Sequence, residues 1–194
     1  MRISVFGVAM VVLSAVCFSA KAIFAKLAYR HGADPSTVLM LRMVFALPFF
    51  ALGALASERR GGIPLERSER IRLVLLGSGG YYLASLFDFV GLEYVSASLE
   101  RLILFLYPTI VVVLNAFFFR ERLSSRVVWA LLLSYGGVGL VFVSDRATGG
   151  PNVALGSSLV FLGALAYAFY LAFSQPLIAK HGSTRVTSHV LVVA

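Results

Sequence analysis

Six stretches of mostly apolar residues constrain this chain more than anything else in it. A helix needs roughly 20 such residues to cross a bilayer core. Segments near Ser4–Tyr29, Ser36–Ala56, Leu73–Leu92, Ala97–Phe119, Val127–Ser144 and Val153–Ile178 meet that requirement. A seventh apolar run, Val186 to Ala194, begins but is too short to cross. Only 13% of the 194 residues are charged, where a soluble domain carries about 25%. A polar surface cannot be built from so few charges, and the mean hydropathy of +0.90 is the opposite of a disordered composition. The expected fold class is therefore all-α transmembrane, a multi-helix bundle. Its short connections favour antiparallel neighbours.

The net charge of +8 could suggest nucleic acid, but the basic residues sit in the gaps between apolar runs. Counted at alternate helix ends, one side holds Arg2, Arg59, Arg60, Arg67, Arg70, Arg72, Arg120, Arg122, Arg126, Lys180 and Arg185, and the other holds Arg30 and Arg146. By the positive-inside rule this places the N-terminus of a multi-pass membrane protein in the cytoplasm. The partners are then the lipid bilayer and a small-molecule substrate, with no nucleic acid; a homo-oligomer stays open. The lone Cys17 cannot form an internal disulfide or a metal site and reads as a small packed residue.

The sixth helix and its loop resemble the first. With Gly7 over Gly156, Ala15 falls on Ala164 and Phe18 on Tyr167. After a one-residue shift Arg30-His31-Gly32 falls on Lys180-His181-Gly182, and Thr37 on Thr187. Five helices separate the copies, so the second enters the membrane upside down relative to the first, the pattern of inverted-repeat transporters.

Charges inside a span cost several kcal/mol and usually face a cavity or a partner. Lys21 lies well inside the first helix, on one face with Ser14, Phe18 and Ala25. Arg42 lies about two turns into the second. Asp88 shares a face of the third with Tyr81 and Ser85. Glu100 and Arg101 open the fourth, with Tyr107 and Asn115 further along, and Tyr167, Tyr170 and Ser174 stripe the sixth. The functional reading is a cavity binding a polar metabolite, lined by Lys21, Arg42, Tyr81, Ser85, Asp88, Glu100, Arg101, Tyr107 and Tyr167. The structural alternatives are an ion pair of Lys21 with Asp88, of Arg42 with Asp88 or Glu100, and a helix-start role for Glu100 and Arg101. Lys26 is close enough to its helix end to snorkel. Gly77, Gly79, Gly80, Gly136, Gly137, Gly139 and the Ala164, Ala168, Ala172 row read as close-packing positions. Pro108 should kink the fourth helix.

An enzyme needs a nucleophile with a base, or a metal cluster. His31, His181 and His189 all lie outside the span centres, and nothing is placed to activate Ser78 in its glycine-rich setting. The expectation is no enzyme, no cofactor and no metal.

The stretch ASLERLILFLYPTIVVVLNAFFFRERL from Ala97 to Leu123, with Pro108 and then Glu121, resembles the fourth helix of the EamA-like branch of the drug/metabolite transporter superfamily. So do SAVCFSAKAIFAKLAYRHGADP from Ser14 to Pro35, and Arg42 early in the second helix. The resemblance implies ten helices in two inverted five-helix repeats, both termini cytoplasmic, and alternating-access export of small metabolites such as amino acids across the inner (plasma) membrane. Residues 1–144 would be the first repeat and 145–194 the start of the second, with Val192 opposite Arg42. Lys21 and Arg42 would hold an anionic group, and Asp88 an amino group or a proton. A truncated non-transporting protein, or a half-transporter that needs a partner, is the alternative.

Overall fold

The computed structural model describes residues 5–59, 64–119, 125–148 and 151–194. All regular structure among them is helical. The first two helices are α1 (Val5–Arg30) and α2 (Pro35–Arg59). The third rod has three parts: α3 (Arg67–Leu75), a π-helical segment (Leu76–Tyr82) and α4 (Leu83–Tyr94). The fourth is broken into α5 (Ala97–Leu104) and α6 (Tyr107–Phe119). Then come α7 (Ser125–Thr148), α8 (Val153–His181) and α9 (Ser183–Val193).

Among the described residues, five rods are long and apolar enough to cross a membrane: Gly7–Arg30, Pro35–Arg59, Arg67–Tyr94, Ala97–Phe118 and Val153–His181. The sequence suggested a sixth in Val127–Ser144. Helix α7 runs there for 24 residues, and its apolar part among the described residues is the shorter stretch Val128–Ser144. The seventh run folds as α9, an 11-residue helix.

Helix starts follow local chemistry. The carboxylate of Asp34 accepts from the Thr37 amide at 2.9 Å and from its hydroxyl at 2.6 Å, and Pro35 supplies the pre-set φ of a first helical residue. Ser96 accepts from the Leu99 amide at 3.1 Å and so caps α5. The break between α5 and α6 falls at Phe105–Leu106. Pro108 has no N–H to offer the Leu104 carbonyl and its ring crowds that oxygen. The expected kink is thus a full interruption of the helix.

The bundle is organised around α8 rather than around sequence neighbours. α8 packs chiefly on α4, and also on α5, α6, the π-helical segment and α9. Small residues allow this. A Cβ on Gly156 would lie 2.6 Å from Tyr94 Cβ and 2.8 Å from the Gly91 carbonyl, and one on Gly163 would lie 2.9 Å from the Ala84 carbonyl. Ala164, Ala168 and Ala172 are buried on the same helix. Gly77 and Gly80 also sit at close contacts, against the Val190 carbonyl and Tyr170 Cβ. The packing reading fails for Gly79, Gly136, Gly137 and Gly139, which have no described atom within 4 Å of a built Cβ. Cys17 is exposed rather than packed, because α1 meets the bundle mainly through Ala22 and Ala25.

At one end of the bundle ion pairs tie α2, α3, α8 and α9 together. Lys180 Nζ lies 2.8 Å from Glu69 and 3.2 Å from Glu66, His181 Nε2 lies 3.1 Å from Glu69, and His189 Nε2 lies 3.2 Å from Glu58. The opposite end carries Asp34, Glu93 and Val153, where Lys26 donates to the Glu93 carbonyl at 3.2 Å.

Candidate functional site

Four charged side chains from three elements meet inside the spans. Lys21 of α1 hydrogen-bonds and ion-pairs with Asp88 Oδ2 of α4. Its ammonium also lies 3.2 Å from Glu100 Oε1 of α5, and Arg101 Nε lies 3.2 Å from Glu100 Oε2. The Glu100 side chain is fully buried and that of Asp88 is 6% exposed. Aromatic faces supply much of the remaining solvation. Arg101 stacks 4.5 Å from the Phe18 ring centre, and Lys21 lies 5.2 Å from that of Phe89, within the range of cation–π attraction.

Arg42 of α2 is placed differently. It donates to the Tyr81 hydroxyl at 2.8 Å and lies over Phe89 at 5.6 Å. Among the described residues it has no carboxylate partner, so neither ion pair suggested for it, with Asp88 or with Glu100, forms. Tyr81 reaches this position from the π-helical segment. Its ring meets Tyr167 at 6.3 Å and Tyr170 at 5.9 Å, both edge-on, and Tyr107 meets Tyr167 at 5.1 Å.

Lys21, Arg42, Tyr81, Ser85, Asp88, Tyr107 and Tyr167 all line one cavity of about 60 Å³, room for a few waters and too small for a metabolite. Glu100 and Arg101 lie behind its wall and touch it through the lining residues Lys21 and Phe18. Asp88 Oδ1 is buried and accepts no hydrogen bond from a described residue. Phe18, Ala84, Leu104 and Gly163 complete the lining. The last three carry no chemistry a sequence could flag; Phe18 shares the Lys21 face. Ser174 turns back to the Leu171 carbonyl at 3.1 Å, and Asn115 is not among the lining residues. Glu121 lies outside the described residues, as do Arg2, Arg60, Arg120 and Arg122.

Helices long enough to span a bilayer agree with what comparison with known proteins finds. Residues 5–143 match the profile of the EamA-like transporter family. The chain belongs to this family. As an EamA-like chain with several spanning helices, it is a multi-pass membrane protein and its environment is a lipid bilayer. It is 31% identical over 194 residues to the uncharacterized transporter YcbK of Bacillus subtilis (strain 168), covering 97% of this chain and 60% of that protein. It is 26% identical over 162 residues to an uncharacterized transporter of Archaeoglobus fulgidus, covering 82% of this chain and 54% of that one. This EamA-like chain thus spans between half and two thirds of the length of these curated relatives. No solved structure matches it.

Proposed function

We propose that the protein exports small zwitterionic metabolites, amino acids among them, across the inner membrane by alternating access. The observation that carries this reading is unused binding capacity on two groups that line one cavity. Arg42 has no carboxylate partner among the described residues, and Asp88 Oδ1 has no donor. The guanidinium takes the substrate carboxylate in a forked contact, and Asp88 Oδ1 takes the ammonium. Lys21 is held by two carboxylates already, so the anion site proposed from the sequence contracts to Arg42. The tyrosine cluster supplies aromatic walls, and the cavity must widen to load.

The inverted-repeat reading of residues 1–144 and 145–194 has geometric support. The repeat alignment superposes Gly32 on Gly182, and these are the positive-φ glycines of the described chain, at φ 88° and 82°. Each ends the paired helix, α1 or α8. The N-terminus is taken as cytoplasmic from the charge bias.

The test is counterflow of labelled amino acids in liposomes containing the full-length protein. Arg42→Ala should weaken substrate affinity roughly tenfold to a hundredfold, matching loss of a hydrogen bond to a charged group. Arg42→Lys should recover only part, because an ammonium cannot fork. Unchanged affinity in Arg42→Ala would refute the assignment.

A further inference from the structure

The zwitterion site uses Arg42 and Asp88. It leaves Glu100 without a task, although this is the most deeply buried ionisable side chain of the cluster. We propose that Glu100 is a proton-binding site, linked to the cavity through the ammonium of Lys21.

Burial comes first. A carboxylate with no exposed surface, inside a helix long enough to span the membrane, persists as an anion only if partners replace its water. Those partners fit poorly. Lys21 and Arg101 both lie 3.2 Å away, yet neither Glu100 oxygen accepts a hydrogen bond of ordinary geometry from a described residue. For Arg101 the cause is covalent, since successive residues on a helix do not face one another; its guanidinium stacks on Phe18 instead. Lys21 is closer to Asp88 than to Glu100.

The other neighbours do not supply what is missing. From α1, Tyr29 donates its hydroxyl to the Phe89 carbonyl at 3.0 Å. From α4, Asp88 adds a second negative charge. Helix α8 carries no acid, and its Lys180 and His181 are held by Glu69 at the far end. On α7, Tyr135 lines a separate groove, while Arg126, Asp145 and Arg146 lie outside the described side chains. An open groove lies close by. A groove of about 750 Å³, lined by Lys26, Tyr29, Glu93 and Ser96, begins one helical turn from Glu100, whose amide bonds the Ser96 carbonyl at 3.0 Å.

The link follows from Lys21 being shared. A cation arriving at Asp88 competes with the Lys21 ammonium, which then shifts to Glu100. The Glu100 O–H bond breaks, its electron pair stays on the carboxylate, and the proton leaves to water in the groove. One positive charge enters the buried cluster as one leaves. This coupling step rests on the ammonium site proposed at Asp88; the proton site itself does not.

The experiment is infrared difference titration of the carboxylic-acid carbonyl band in the full-length protein in lipid, without substrate. The expected result is a buried-acid band that titrates in the wild type and is missing in Glu100→Gln. In Lys21→Met it should persist to higher pH, with proton affinity roughly tenfold greater or more, and in Asp88→Asn it should shift to lower pH. These opposite shifts test the proposal even if Glu100→Gln fails to fold. A band that survives Glu100→Gln or that ignores Lys21→Met would overturn it, and one that survives Glu100→Gln but vanishes in Asp88→Asn would assign the proton to Asp88 instead. Failure of amino-acid counterflow with the band shifts intact would sink the substrate reading alone.

Discussion

At the scale of single residues, few charges in much hydrocarbon made the site legible. Each ionisable group inside an apolar run needs a partner, so Lys21, Arg42, Asp88, Glu100 and Arg101 could be named without a structure. Their division of labour could not. Which carboxylate Lys21 prefers, and that Arg42 turns to Tyr81 instead, depend on helix rotation, and these helices are apolar almost all round. Asp34 gives a residue-scale prediction outside the spans. The Thr37 hydroxyl, and after it the Thr37 amide, hold its carboxyl below the usual carboxylate range. A depressed folded value means that the stabilisation is present above the unfolded value and is lost as pH falls through the folded one. Melting temperatures of the wild type and Asp34→Ala should therefore differ at neutral pH and converge in acid. A constant gap across that range would contradict the capping role.

At the scale of elements, the glycines separate into two classes that composition does not distinguish. Gly91, Gly156 and Gly163 let α4 and α8 touch backbone to backbone, whereas Gly136, Gly137 and Gly139 face open space. Gly156→Ala should cost about 1–3 kcal/mol through overpacking, visible as a lower melting temperature. Gly137→Ala should be neutral or stabilise α7 by up to about 1 kcal/mol. Equal effects at the two positions would argue against α8 as the organising helix. The spans were readable to within a few residues because apolar length is a one-dimensional property. The central place of α8 was not, because packing order is not written in chain order. The π-helical segment was equally hidden: its glycines signalled closeness but not the wider turn. The cluster of Glu66, Glu69, Lys180 and His181 was missed as a contact, since helix-end charges were read only for sidedness.

At the scale of the whole molecule, the ion pairs at one end place the termini of α2, α3, α8 and α9 on a common side. In a Cys17→Ser background, Ser57→Cys and Ser183→Cys should react with an impermeant maleimide only from the cytoplasm, and Ser36→Cys and Pro151→Cys only from outside. The reverse pattern would invert the proposed orientation. One of the rods that join that end of the bundle to the cavity, Arg67–Tyr94, is interrupted by the π-helical segment at Leu76–Tyr82. A π turn lodges a residue that an α-helix of the same reach would not need. It works like an offset coupling in a drive shaft. The end gripped by Lys180 and the end seated on the glycines of α8 each keep their own angular phase. Deleting one residue there, such as Gly79, would restore a plain helix with both halves still in phase, whereas winding all its residues as a plain α-helix would turn one half by about 100° against the other. Either Tyr81, Ser85 and Asp88 would leave the cavity, or Glu69 would leave its anchor. The segment is thus what allows the anchor and the cavity to be satisfied by the same rod.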